Sequence, residues 1–361
     1  MKTKIVRLLA CSFLLTIASY GYSSPSHAAI SSSPSFELDG ANPASLATTG
    51  ATSWRDLISN GSITGSLSGT AAYSSAGGGS LSTSGTSTYG GAAFPATSAG
   101  TPTNPSGDMS LMMWVKFSSF NSEWNLLASR WFMGPAGAEN QDWHFAVRTS
   151  GATRYLNLYT TNKPNTFGTT TFATDTWYLV GFTLTWSGNL QFYVNGVPDG
   201  PLVTGATRNA NASAQLWISD ARNTCSGCAT NGNIAKVRIW NSKLESNTVL
   251  NDFNVERELF GYAPFVTSAS FTLASSTPKF RVIDTITATV PAGSRVTFYE
   301  NSKVISGCKG IAPVSTTAIC RWRPSSHGQM NVRVSYIPLG SSTASWSAIT
   351  SVIGTRRTGQ R

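Results

Sequence analysis

Two carboxylates facing one cleft can break a glycosidic bond, and retaining enzymes hold them ~5–5.5 Å apart. On a β-strand that geometry needs acids at i and i+2 or i+4, because alternate side chains share a face. Glu37 with Asp39 has this spacing, and so does Glu256 with Glu258. The first pair, however, opens a domain, and the second follows a predicted helix at the domain edge. The runs YLNLY (155–159), LQFYV (190–194) and KVRIW (236–240) contain no acid. His27 falls in an N-terminal leader, and His144 and His327 lie far apart, outside any recognisable nucleophile motif. Catalytic residues are therefore not expected, and the protein is read as a non-enzyme.

Binding chemistry has more material. Glu139-Asn140-Gln141-Asp142, and Asp220 with Asn223, are local clusters of oxygen donors, for which ordinary loop capping by Asp and Asn is one reading. Trp124, Trp131 and Trp143 lie near polar segments. They are the expected sugar-stacking surfaces, since a ring face matches the C–H face of a pyranose. Core burial competes with that role, because Trp is usually mostly buried. Trp114, Trp177 and Trp240 fall within alternating runs and are assigned to the core. Lys303, Lys309, Arg321 and Arg323 are expected to form a basic patch, extended by Arg356, Arg357 and Arg361. An exported basic patch would meet an anionic cell-envelope polymer rather than nucleic acid, with solubility charge as the competing reading.

The elements that must position these residues follow from composition. Of 361 residues, 40% are hydrophobic and 12% charged, with 33 Gly, 16 Pro, 17 Phe, 11 Tyr and 11 Trp. So many apolar side chains exclude disorder throughout, and the Gly and Pro load argues against a coiled coil. Lys2, Lys4 and Arg7 followed by LLACSFLLTIA (8–18) read as a secretory signal cleaved after Ala28. No later segment approaches the 18 or more apolar residues of a membrane span. Removing Cys11 leaves Cys225, Cys228, Cys308 and Cys320, an even count that favours disulfides in an oxidising compartment. Proximity in sequence pairs Cys225 with Cys228 and Cys308 with Cys320, one of three possible connectivities.

Runs at 109–117, 143–147, 155–159, 177–185, 190–194, 214–219 and 234–240 alternate or are continuously apolar between turn residues, and predict strands. Asn195-Gly196 predicts a tight hairpin turn. Residues 59–106 are rich in Gly, Ser and Thr and predict long loops and weak edge strands. Val249, Leu250 and Phe253 give one apolar helical face, with Ser246 as its expected cap. After a linker at 263–270, runs at 270–273, 285–290, 295–300, 317–322 and 329–336 predict a second β unit. Residues 264–361 hold 11 Lys plus Arg against 2 acids, whereas residues 29–263 hold 12 against 14. Two domains are expected.

The order of motifs in the first unit resembles the laminin-G-like branch of the concanavalin A-like superfamily. FELDGANPAS (36–45) with SWRDL (53–57), SLMMWVK (110–116), WYLV (177–180), LQFYVNG (190–196) and GNIAKVRIWN (232–241) carry the resemblance. It implies a jelly-roll sandwich over 35–262, and because relatives of this kind often bind ligands through calcium at loop ends, Asp142, Asp220 and Asn223 are the expected metal ligands. Where the family usually has an acidic strand, residues 77–94 contain no acid. The second unit, 271–354 before a basic tail at 355–361, resembles the small Ig-like repeats of bacterial surface proteins through VTFYENSK (296–303), Cys308 and CRWRP (320–324). The expected protein is all-β: a concanavalin A-like jelly roll followed by a small Ig-like β-sandwich. It would be secreted or at the cell surface, recognising carbohydrate or a surface protein. A glycoside hydrolase or lyase, and a structural surface component without a ligand, are the alternatives.

Overall fold

The computed structural model describes residues 30, 32–85, 90–121, 123–131, 141–210, 213–220, 227–262, 269–291, 293–313, 316–338 and 344–356. The expected signal peptide, most of the linker, and tail residues Arg357 and Arg361 lie outside the described residues. Among the described residues no helix is long and apolar enough to cross a membrane.

Two antiparallel sheets form the first unit. Sheet I runs, in spatial order, Val197–Pro198, Leu190–Val194, Trp177–Leu184, Met109–Phe117, Gly232–Trp240, Ser80–Thr83 and Ala72–Ser74, with Phe36–Asp39 also paired to Gly232–Trp240. Sheet II runs Lys163–Phe167, Thr153–Thr160, Gln141–Ser150, Trp124–Trp131, Trp217–Ile218, Gly91–Ala93, Thr64–Ser68 and Ser53–Arg55. One hydrophobic core joins them, drawing Phe36, Leu111, Met113, Val180, Phe182, Phe192 and Val237 from sheet I. Trp54, Leu127, Trp143, Phe145, Val147, Leu156 and Leu158 meet them from sheet II. The Asn195-Gly196 turn forms as expected: both residues have positive φ, 52° and 81°, which a tight turn between twisted strands requires.

The other face of sheet I is covered by the Ser246–Glu256 helix, whose Val249 and Phe253 pack on Trp114, Leu179 and Trp240. Glu245 is the residue at the N-cap and Ser246 is already helical, so the expected cap is corrected by one position. Trp114, Trp177 and Trp240 belong to this helix-side layer rather than to the core between the sheets. The helix is anchored by charge. Glu256 accepts bonds from Arg238 at 2.7 and 3.0 Å and from Trp114 Nε1 at 2.8 Å. Arg238 also reaches Glu37, and Lys236 reaches Asp39. The Glu37/Asp39 pair is therefore tied into cross-strand ion pairs. Glu256 and Glu258 share no strand face, and Glu258 is exposed.

A second unit follows with its own core. Sheets ordered Ser270–Leu273, Asp284–Thr289, Thr317–Trp322 and Lys303–Val304, Arg295–Glu300, Gly328–Ile337, Ser345–Trp346 enclose Ile286, Phe298, Trp322, Val332 and Val334. The strand Thr350–Gly354 also pairs with Gly328–Ile337. Cys308 and Cys320 form a disulfide in this core, as expected. Cys225 lies outside the described residues, so its pairing with the buried Cys228 is not described.

Candidate functional site

Sheet II presents its outer face through three neighbouring strands, Trp124–Trp131, Gln141–Ser150 and Thr153–Thr160. Alternation decides which side chains reach that face. Trp143, Phe145 and Val147 enter the core, so His144, Ala146 and Arg148 point outward. Leu156 and Leu158 also enter the core, which turns Tyr155, Asn157 and Tyr159 out. Register aligns them in rows: Trp124, Arg148 and Tyr155; Leu126, Ala146 and Asn157; Ser129, His144 and Tyr159. The register slips between Arg130 and Trp131. Such an irregularity re-aims a side chain, and the Trp131 ring lies against His144 and Tyr159.

The result is a continuous aromatic cluster. The His144 ring centre lies 5.1 Å from Trp124, 5.2 Å from Trp131 and 5.0 Å from Tyr159. Trp131 meets Tyr159 edge-on at 5.1 Å. The Arg148 guanidinium stands 4.7 Å above Trp124 and 5.8 Å from Phe167, and is held by Glu123 at 2.8 Å. Trp131 and His144 are only 5% and 6% exposed and form the floor. Trp124, Tyr155 and Tyr159 are half-buried, and Phe167 is exposed. Tyr155 and Phe167 also line a cavity of about 420 Å³ with Ser150, Gly168 and Thr169.

Among the described residues, three polar atoms of this floor have no hydrogen-bond partner: Nδ1 and Nε2 of His144, and Nε1 of Trp131. Each such atom costs about 1–3 kcal/mol of unmet desolvation. Burial first, and the nearby Arg148 charge second, push the His144 pKa down to about 3. The imidazole is therefore neutral at physiological pH, with one donor and one acceptor nitrogen. Together with the Trp131 N–H, the floor offers two donors and one acceptor among rings.

The sequence-predicted residues meet different fates. Trp124 and Trp131 join the face. Trp143 is 0% exposed and packs edge-on against Phe182, so its expected stacking role is corrected: strand parity sends it into the core. Asp142 is corrected as a metal ligand. It is fully buried and accepts from Arg208, Arg130 and the Asn209 N–H. Burial above all, with Arg208 adding to it against the pull of Asp142, lowers the Arg130 pKa to about 10. A carboxylate enclosed by two guanidinium groups does not suit calcium. Asp220 is also buried and accepts from the Gly90 N–H at 2.8 Å, and Asn223 lies outside the described residues. Among the described residues no three His, Cys, Asp or Glu side chains are placed to hold a metal. Lys303, Lys309, Arg321 and Arg323 are all exposed, and Lys303 and Arg323 line one cavity.

His144, Arg148, Tyr155, Tyr159 and Phe167 were not among the expected site residues. Within YLNLY the signal was legible, since Tyr155, Asn157 and Tyr159 share a period-2 face opposite Leu156 and Leu158.

Residues 85–250 match the Laminin_G_3 family, described as the concanavalin A-like lectin/glucanases superfamily. These residues form a concanavalin A-like domain. The whole aromatic face lies within it. No curated protein matches the chain. Among solved structures, Trypanosoma rangeli sialidase in complex with a difluoro-KDN is similar at 16% identity and a TM-score of 0.46, over 63% of this chain and 33% of that one. The chain thus spans about a third of the sialidase's length. Domain 4 of AbnA, a GH43 extracellular arabinanase from Geobacillus stearothermophilus, in complex with arabinotriose, is similar at 19% identity and a TM-score of 0.41, over 61% and 97%. The binding domain of Paraclostridial Mosquitocidal Protein 1 is similar at 8% identity and a TM-score of 0.46, over 89% and 91%.

Proposed function

We propose that the protein is a secreted or cell-surface, non-catalytic carbohydrate-binding protein that takes its ligand on the aromatic face of sheet II. One observation carries this reading: polar atoms of His144 and Trp131 without a hydrogen-bond partner among the described residues lie buried among the rings of Trp124, Trp131 and Tyr159. A sugar supplies both missing complements, C–H faces for the rings and hydroxyl groups that donate and accept. A non-catalytic role is supported by the acids nearby. Glu123 is paired with Arg148 and Asp142 with two arginines, so neither is disposed as a general acid or nucleophile. Secretion is supported by the Cys308–Cys320 disulfide, which suits an oxidising compartment. The second β unit serves in this reading as an Ig-like spacer or envelope contact.

The test is a panel of immobilised glycans probed with the full chain, with calcium and with chelator. Binding that survives chelation is expected. Binding abolished by chelation would replace the aromatic reading with a metal-dependent one, and release of reducing sugar would overturn the non-catalytic claim.

A further inference from the structure

The C-terminal unit carries a cavity of its own, separate from the aromatic face. Residues 264–361 hold 11 cationic side chains and 2 acids. One of those acids, Glu300, is buried and engaged: it accepts from Trp322 Nε1 at 2.8 Å, and from the Ser325 N–H and hydroxyl at 3.0 and 2.7 Å. Glu300 and Trp322 stand in the wall of a cavity of about 360 Å³ that Lys303, Arg323, Val304 and Ile305 also line. That volume is at the small end of small-molecule pockets, ~300–1,000 Å³. Lys303 and Arg323 are exposed and have no ion-pair partner among the described residues, so two cations face one occupied carboxylate. Lys309 and Arg321, read with them as a single patch in the sequence, are exposed but do not line the cavity.

We infer that this cavity binds one acidic unit of an anionic glycan, its carboxylate or sulfate group between Lys303 and Arg323. Arg presents a planar fork of donors matched to such oxyanions, and Lys adds a compact charge. Exposed Val304, with the largely buried Ile305, provides the apolar surface that a sugar ring covers and that a bare inorganic anion leaves uncovered, while Trp322 is itself fully buried.

Titration of the full chain tests this with an oligogalacturonate, a carrageenan-derived oligosaccharide of equal length that carries sulfate and no carboxylate, a neutral oligosaccharide and a single-stranded oligonucleotide. At least one acidic saccharide should bind ten-fold or more tightly than the neutral one, and comparing the two distinguishes carboxylate from sulfate. Lys303→Gln with Arg323→Gln should weaken that binding ten-fold or more. Lys309→Gln with Arg321→Gln removes the same charge outside the cavity and should change it by less than three-fold. Lys303→Arg with Arg323→Lys should retain most of it. Equal losses from the two glutamine pairs would reduce the site to diffuse polyelectrolyte attraction. No loss from the first pair, or tighter binding of the oligonucleotide, would overturn the proposal.

Discussion

At the scale of single residues, His144 and Asp142 sit two positions apart on one strand and are buried in opposite ways. Asp142 has its oxygens filled by guanidinium and amide donors. Breaking such a buried pair typically costs about 3–5 kcal/mol, since the remaining charge is left uncompensated. Asp142→Asn should therefore lower unfolding stability by roughly that amount, measured by urea denaturation, and a loss under 1 kcal/mol would contradict the assignment. His144 is buried with no hydrogen-bond partner among the described residues, and its folded pKa of about 3 lies below the unfolded value of about 6.5. Between these values the unfolded chain binds the extra proton, so stability falls as pH falls. Linkage gives a loss of about 2 kcal/mol from pH 7 to pH 5 for this group. His144→Phe should flatten that slope and leave the fold as stable or more so at pH 7, because two unmet nitrogens are replaced by apolar atoms. An unchanged slope would show that His144 is not the buried neutral group described.

At the scale of elements, the helix Ser246–Glu256 is held to sheet I by Trp114 and Phe253 and by the Glu256–Arg238 bridge. Burial alone would raise the Glu256 pKa, but Arg238, Lys236 and the Trp114 N–H together outweigh it and hold the carboxyl below its usual range. A depressed carboxylate contributes stability that is present above the unfolded pKa of about 4.3 and is lost as pH falls through the folded value. Glu256→Gln should destabilise by about 3–5 kcal/mol at pH 7. The acid sensitivity of helix protection, followed by hydrogen exchange, should also weaken in this variant. Wild-type exchange in the helix that ignores acid would contradict the bridge.

Legibility varied between elements for physical reasons. In the C-terminal unit, Thr317–Trp322 alternates exposed and buried residue by residue, and sequence alternation found that strand at its true bounds. The strand Trp124–Trp131 escaped sequence reading. Nearly every residue in it is buried, polar Asn125, Ser129 and Arg130 included, and two register shifts break the period. Trp143 and His144 show the same limit at the site. In a regular strand adjacent residues take opposite faces, but only the position of the core says which one turns inward.

At the scale of the whole molecule, two separate hydrophobic cores and an uneven charge distribution distinguish the concanavalin A-like domain from the basic unit that follows it. The smaller core depends more on its covalent closure. The Cys308–Cys320 bridge spans 12 residues, and a short disulfide loop of this kind contributes about 2–4 kcal/mol. Cys308→Ser should weaken hydrogen-exchange protection in Thr317–Trp322 while leaving Gln141–Ser150 unaffected. Equal protection in both strands after the substitution would show that the bridge is dispensable.

The central claim is that the rings and unmet polar atoms of sheet II form the carbohydrate site. Its most direct test is the affinity of wild-type protein, Trp124→Ala and His144→Phe for the glycan giving the strongest panel signal. Both variants are expected to stay folded and to bind at least ten-fold more weakly, a loss of about 1.4 kcal/mol or more. Glycan binding that persists undiminished in both folded variants would place the site elsewhere and contradict the account.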